Sequence, residues 1–252
     1  MGGTSASPDE IARFNALAAR WWDPNGPMRP LHRMNPARIA WIVERAGGGP
    51  IPPATHTPPA QWQREHVVSA PTLLDVGCGA GLAAEALARY GYSVLGLDAA
   101  GEAIEAARAH AASQDLAVSY RVGAPEELLA EPQRFPLITA LEVIEHVPEP
   151  LAFLATLREL LAPGGRLFLS TLNRTPRAYL AAKVGAEYLL HWLPVGTHDW
   201  RRFIKPDELA TMLRSLGIRV TDVTGLVPEP LTGRWRTARD TGVNYLVAAT
   251  IG

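Results

Sequence analysis

The 252-residue chain holds a single cysteine, Cys78. One thiol excludes an internal disulfide and any zinc site built from several cysteines, and it suits a reducing compartment. Neither sign of charge is in excess: 24 Lys and Arg stand against 25 Asp and Glu, for a formal net charge of −1. Without a basic surface, non-specific nucleic-acid binding is not expected. The opening residues MGGTSASPDE have no basic or apolar region of the signal-peptide kind and no Arg/Ser-rich transit character. No uninterrupted apolar run reaches membrane-spanning length. Internal repeats are also missing. A soluble cytoplasmic protein is expected.

What is present is ample core material, with 47% hydrophobic residues and 19% charged. Ile11, Phe14, Leu17 and Ala18 recur at helical spacing over 9–20, with Ser7 or Asp9 available as a cap. Residues 21–35, rich in Pro and Gly and carrying Trp21 and Trp22, predict a loop, and 37–46 a second helix. Residues 1–46 thus form an N-terminal helical extension and lid, and the Pro/Gly-rich 47–71 a flexible insertion. From 72 to 252 strands alternate with helices, which predicts a mostly parallel sheet covered on both faces. Strands are expected at 72–76, 93–97, 117–122, 136–141, 166–171, 218–224 and 243–250, with helices at 81–90, 101–112, 150–161, 176–192 and 206–216.

The first of these strands runs into VGCGAG. Gly77, Gly79 and Gly81 let the backbone turn tightly and come close to a ligand. Their spacing is GxGxG. A dinucleotide fingerprint would require a small residue at position 82, where Leu82 stands. Asp75 precedes the loop and can hold a loop amide or a ligand ammonium. Asp98 ends the second strand, where a carboxylate can accept both hydroxyls of a ribose. The ligand implied bears adenosine.

This order of features resembles the class I S-adenosylmethionine (SAM) methyltransferases, an α/β Rossmann-like fold. The resemblance implies a seven-stranded sheet with its last strand antiparallel. It also implies SAM contacts from Asp75, Gly77, Gly79, Gly81, Asp98 and Leu141, with the adenine near Gly123–Glu126. Longer stretches, at 14–39, 140–150, 170–175 and 184–206, resemble one subfamily, the ubiquinone-biosynthesis O-methyltransferases. Only 47–71 departs, being longer than that family's link into the first strand. The resemblance implies methyl transfer to polyprenylated phenols and quinols, with other enzymes of that biosynthesis as candidate partners. It also implies that Arg38 reaches the SAM carboxylate, to which a guanidinium fork is suited. Trp21 and Trp22 could lid the site, contact a quinone ring, or simply pack an N-terminal helix on the sheet.

After the apolar strand at 136–141 come Glu142, Glu145 and His146, whose spacing places them on one face of a helical turn. Three readings stay open. His146 could act as a general base oriented by Glu142 or Glu145. The three could bind Mg or Zn, as the metal dependence of eukaryotic members of the resembling family suggests. Or the turn could cap the following helix. His198, beside Asp199, is a second catalytic candidate. Residues 172–205 form an acceptor-side insertion. Within it the apolar, aromatic 176–195 suits either an interfacial helix in peripheral contact with membrane lipid or a lid packed on the sheet. The alternatives to ubiquinone precursors are another phenolic acceptor, or a SAM-binding scaffold without catalysis.

Overall fold

The computed structural model describes residues 5–47, 71–180, 200–229 and 232–252. Among these, eight strands form one sheet: β1 (Thr72–Val76), β2 (Ser93–Asp98), β3 (Ser119–Val122), β4 (Phe135–Leu141), β5 (Leu161–Leu172), β6 (Ile218–Pro228), β7 (Trp235–Ala238) and β8 (Asn244–Ile251). Their order is β3-β2-β1-β4-β5-β8-β6-β7. Neighbours from β3 to β5 are parallel, and β8 lies antiparallel between β5 and β6. The seven expected strands are all present. The eighth, β7, is a short edge strand that pairs antiparallel with β6.

Alternation along the strands divides the core in two. Leu74, Ile138 and Leu167 point to one face, against Leu154 and Leu157 of α5 (Pro150–Leu160) and Leu209 and Leu213 of α7 (Pro206–Ser215). Their neighbours Leu73, Leu137 and Phe168 point to the other. There they meet Ile39 and Ile42 of α2 (Arg29–Arg45), Leu87 of α3 (Leu82–Arg89) and Ile104 of α4 (Gly101–Ser113). Phe168 is fully buried and meets Trp41 edge-on, ring centroids 6.1 Å apart. Phe168→Ala should cost about 3–5 kcal/mol of unfolding free energy by urea denaturation. A loss below about 1 kcal/mol would contradict this packing.

Helix α1 (Pro8–Leu17) is capped by the Ser7 side chain, which accepts from the Glu10 amide. It runs into a 3₁₀ turn at Ala18–Arg20. Helix α2 corrects the sequence expectation, since it begins at Arg29 rather than 37. Pro30 occupies a first-turn position where no N–H is needed, and Pro36 is carried inside the helix. Burial of Met34, Asn35 and Arg38 holds this proline-bearing stretch helical against its local preference. Helix α6 (Pro176–Tyr179) is the described beginning of the helix expected over 176–192. The rest of that expectation, and nearly all of the 47–71 insertion, lie outside the described residues. Among the described residues, no helix is long and apolar enough to cross a membrane.

Candidate active site

Strand order reverses between β1 and β4, and the carboxyl ends of the strands on either side open onto a cavity of about 320 Å³. This is where a doubly wound sheet binds its ligands. The β1–α3 loop forms the floor. Gly77 and Gly79 line the cavity with φ of +68° and +53°. A Cβ on Gly77 would overlap Val143, and one on Gly79 would overlap the Trp21 ring. Gly81, at φ +89°, is the N-cap of α3 and faces the Tyr120 hydroxyl, so it shapes the loop from outside the cavity. The Gly79 amide donates to Asp98 Oδ2 at 2.8 Å, and the Ala100 amide donates to Oδ1 at 2.8 Å. Each of these oxygens keeps a further lone pair for a hydroxyl. Burial raises the Asp98 pKa, against the pull of these amides.

Two buried charged groups line the same cavity with unmet bonding capacity. Asp75, 2% exposed, accepts from Thr139 Oγ1 at 2.6 Å, but its Oδ2 has no partner. Arg38, 3% exposed, donates from Nε to Asn35 Oδ1 at 2.9 Å, while its Nη1 has none. Asn35 is itself fixed by donating to the Leu82 carbonyl at 2.9 Å. Burial pushes the Asp75 carboxyl up to about 6, against the Thr139 bond and the Arg38 charge. Burial also lowers the Arg38 pKa, which the charges of Glu142 and Asp75 oppose. A buried polar atom left unpaired is costly unless a ligand completes it. An ammonium against Asp75 and a carboxylate against Arg38 would do so, and an amino acid carries both. Leu141, Gly123, Ala124 and Pro125 supply further wall. The residues present therefore fit SAM.

The turn after β4 is not built as its spacing suggests. Glu142 has φ of +58°, which interrupts a regular helix at the start of the turn, although Glu142, Glu145 and His146 all line the cavity. Glu142 Oε1 accepts from Ser170 Oγ at 2.6 Å, and Glu145 Oε2 accepts from Thr171 Oγ1 at 2.9 Å. His146 Nδ1 instead faces Glu10 Oε2 of α1 at 3.3 Å. Among the described residues, no group of three or more His, Cys, Asp or Glu side chains could hold a metal ion. Glu142, Glu145 and His146 all line the cavity, but they do not form the expected Mg or Zn set: the two carboxylates are engaged by hydroxyls of β5 and the imidazole faces Glu10. The expected orientation of His146 by Glu142 or Glu145 is likewise replaced by a contact from α1. Burial raises the Glu145 pKa, with the nearby Glu142 charge adding to it. His198 lies outside the described residues.

A family model described as a methyltransferase domain matches residues 53–223. The ubiquinone biosynthesis O-methyltransferase of Caulobacter vibrioides is 45% identical over 98% of this chain and 95% of its own length. That of Methylobacterium sp. (strain 4-46) is also 45% identical, over 98% of this chain and 96% of its own. The chain belongs to the ubiquinone biosynthesis O-methyltransferase family. It is a SAM-dependent methyltransferase. In fold it matches magnesium protoporphyrin IX methyltransferase from Synechocystis PCC 6803 with bound SAM, at TM-score 0.61, 17% identity and full coverage of both chains.

In this methyltransferase the two tryptophans divide. Trp21 is buried against Gly79 in the cavity wall. Trp22 turns outward, donates to the Ala80 carbonyl at 3.0 Å and stacks on His110, ring centroids 3.4 Å apart. It pins the N-terminal extension to α4 and does not line the cavity. Trp235 and Glu10 are among the wall residues that escaped the sequence reading. Trp235 arrives on β7, and nothing in its local sequence marks it. Glu10 carried a signal, since a carboxylate four residues before Phe14 and seven before Leu17 interrupts the apolar stripe of α1.

Proposed function

We propose that this enzyme moves the SAM methyl to phenol or catechol hydroxyls of polyprenylated ubiquinone precursors, and that it performs both O-methylations. The chemistry of that acceptor sets the demand. A phenol has a pKa near 10, so at pH 7 about a thousandth is ionised, a deficit of about 4 kcal/mol. When bound, SAM supplies an electrophilic methyl that phenolate attacks far better than phenol. The observation that carries the proposal is the place of His146, an imidazole in the wall of the cavity that also holds Asp75, Arg38 and Gly79. His146 takes the acceptor proton as general base. Arg38 and Asp75 hold the methionine end of the cofactor, Asp98 the ribose, and Leu141 with Gly123–Pro125 the adenine. Apolar walls such as Phe14, Leu17, Met28 and Val147 exclude water and receive the acceptor ring.

The long tail of such an acceptor resides in lipid. Tyr179, Leu180 and Trp200 are exposed, and Arg177, Arg201 and Arg202 stand beside them. Exposed aromatic and basic residues of this kind favour a membrane surface, and we assign 176–195 to peripheral lipid contact. Transfer of labelled methyl from SAM to a short-tailed demethylubiquinol analogue, and separately to a short-tailed polyprenyl catechol, tests the reading. Turnover on both is expected. Turnover on neither, with SAM bound, would overturn the acceptor class. Turnover on one alone would overturn the two-step assignment.

A further inference from the structure

Asn244 opens β8 and pairs with Leu172 at the carboxyl end of β5. Both residues line the cavity, as do Val243 and, from α2, Met34. Asparagine is a poor strand former, and this one is buried, at 4% exposure. Its Nδ2 donates to Met34 Sδ at 3.3 Å. A thioether accepts weakly and cannot donate, so it sets the nitrogen of the amide toward Met34. The oxygen, Oδ1, then has no partner among the described residues. A buried carbonyl of this kind is costly unless something completes it. A Val or Leu would serve β8 alone better.

Asp75 Oδ2 and Arg38 Nη1 are orphaned in the same way, and the proposed cofactor pose completes them. Asn244 stands elsewhere. Neighbouring strands lie about 4.8 Å apart, so β8, two places beyond β4, is about 10 Å from it and about 19 Å from β2, which carries Asp98. The residues assigned to the ribose and the amino-acid end of SAM thus sit on other elements. Asn244 falls on the side of the cavity left to the acceptor.

We propose that Asn244 is a specificity-determining residue for the acceptor, its Oδ1 accepting from the ring hydroxyl that is not methylated. The inference rests on the reading of the acceptor as a phenol or catechol. A catechol presents one hydroxyl to be methylated and a second that keeps its proton. The second is a donor, and Oδ1 is a buried acceptor with nothing else to take. This bond turns the ring so that the first oxygen can face the methyl. It also penalises a ring without the second hydroxyl, because Oδ1 then stays buried and unpaired. A methoxy group in that place cannot donate either, so a ring already methylated there is disfavoured as well.

The test measures kcat and KM on a short-tailed polyprenyl catechol and on the monophenol lacking its second hydroxyl. Wild type, Asn244→Leu and Asn244→Ala are compared, with SAM affinity by calorimetry reporting an intact site. Wild type should favour the catechol in kcat/KM by about tenfold or more, the penalty of an unmet buried carbonyl. Asn244→Leu keeps the branched outline without the carbonyl. Its preference should shrink to within about threefold of unity, chiefly through a higher KM for the catechol, with SAM affinity within about twofold of wild type. Asn244→Ala removes the same carbonyl without adding bulk against Met34 and should lose the preference too, so the result does not hang on the folding of one variant. A preference unchanged in both variants overturns the proposal, and so does equal kcat/KM on the two rings in wild type. A loss of SAM affinity beyond about tenfold in both variants would give Oδ1 to the cofactor and overturn it as well. Turnover of neither ring by wild type would instead overturn the acceptor reading beneath it.

Discussion

His146→Gln should lower kcat by about 10²- to 10⁴-fold, the usual worth of a positioned general base. SAM affinity should stay within about twofold of wild type, since Arg38, Asp75, Gly79 and Asp98 are untouched. Glutamine keeps a hydrogen-bonding side chain of similar reach against Glu10 but cannot take a proton at neutral pH. The pH dependence follows from sign. The base must be neutral to act, and the His146 pKa is raised on balance, because the Glu10 bond and the surrounding carboxylates overcome the lowering by burial. The acid limb of kcat/KM in wild type should therefore lie above the ordinary histidine value of about 6.5, with rate rising as pH climbs through it. That limb should vanish in His146→Gln. A variant retaining more than about a third of wild-type kcat would remove His146 from the chemistry.

Gly79→Ala should weaken SAM binding by at least about thirtyfold. The φ of +53° costs an alanine about 1–2 kcal/mol, and its methyl would overlap the Trp21 ring, for about 1–3 kcal/mol more. Relief requires either the loop or Trp21 to move. Loop movement misplaces the amide donated to Asp98 Oδ2 and so disturbs the carboxylate that we propose holds the ribose. Each 1.4 kcal/mol is tenfold, so the lower sum already gives the stated loss. Gly101→Ala is the control: a Cβ there meets nothing within 4 Å, and the residue opens α4, where alanine is the better helix former. Calorimetric titration with SAM separates the two. Equal affinities in Gly79→Ala and wild type would mean that the loop does not touch the cofactor.

That Asp75, Gly77, Gly79 and Asp98 would come together at one cavity was legible in the sequence because the signals are local. A glycine loop between strand and helix, an acid before it and an acid ending the next strand are read within 24 residues, 75 to 98. Arg38 came from the stretch around HRMNP and the resemblance it carried. The acceptor half was less legible because it is assembled across the chain. The spacing of Glu142, Glu145 and His146 implied a shared face only if the backbone stayed helical, and φ at Glu142 breaks that condition. The partners that then claim these side chains, Ser170, Thr171 and Glu10, lie on β5 and α1 and leave no local trace. Helix α2 began early because tertiary burial outweighed two prolines. Strand β7 is four residues long, and what makes it a strand is its pairing with β6.

The position of β8 bears on how the chain is made. Although last of the eight strands in chain order, it lies inside the sheet, bonded to β5 on one side and β6 on the other. A nascent chain that has emerged only as far as β7 can pair β1 to β5, but β6 and β7 have nothing to join. Two unpaired edges, on β5 and β6, then wait exposed during synthesis, and such edges are where strands of different chains pair wrongly. Only the arrival of Asn244–Ile251 turns two ribbons into one sheet, so a translational stall just before it would trap a half-built, aggregation-prone molecule.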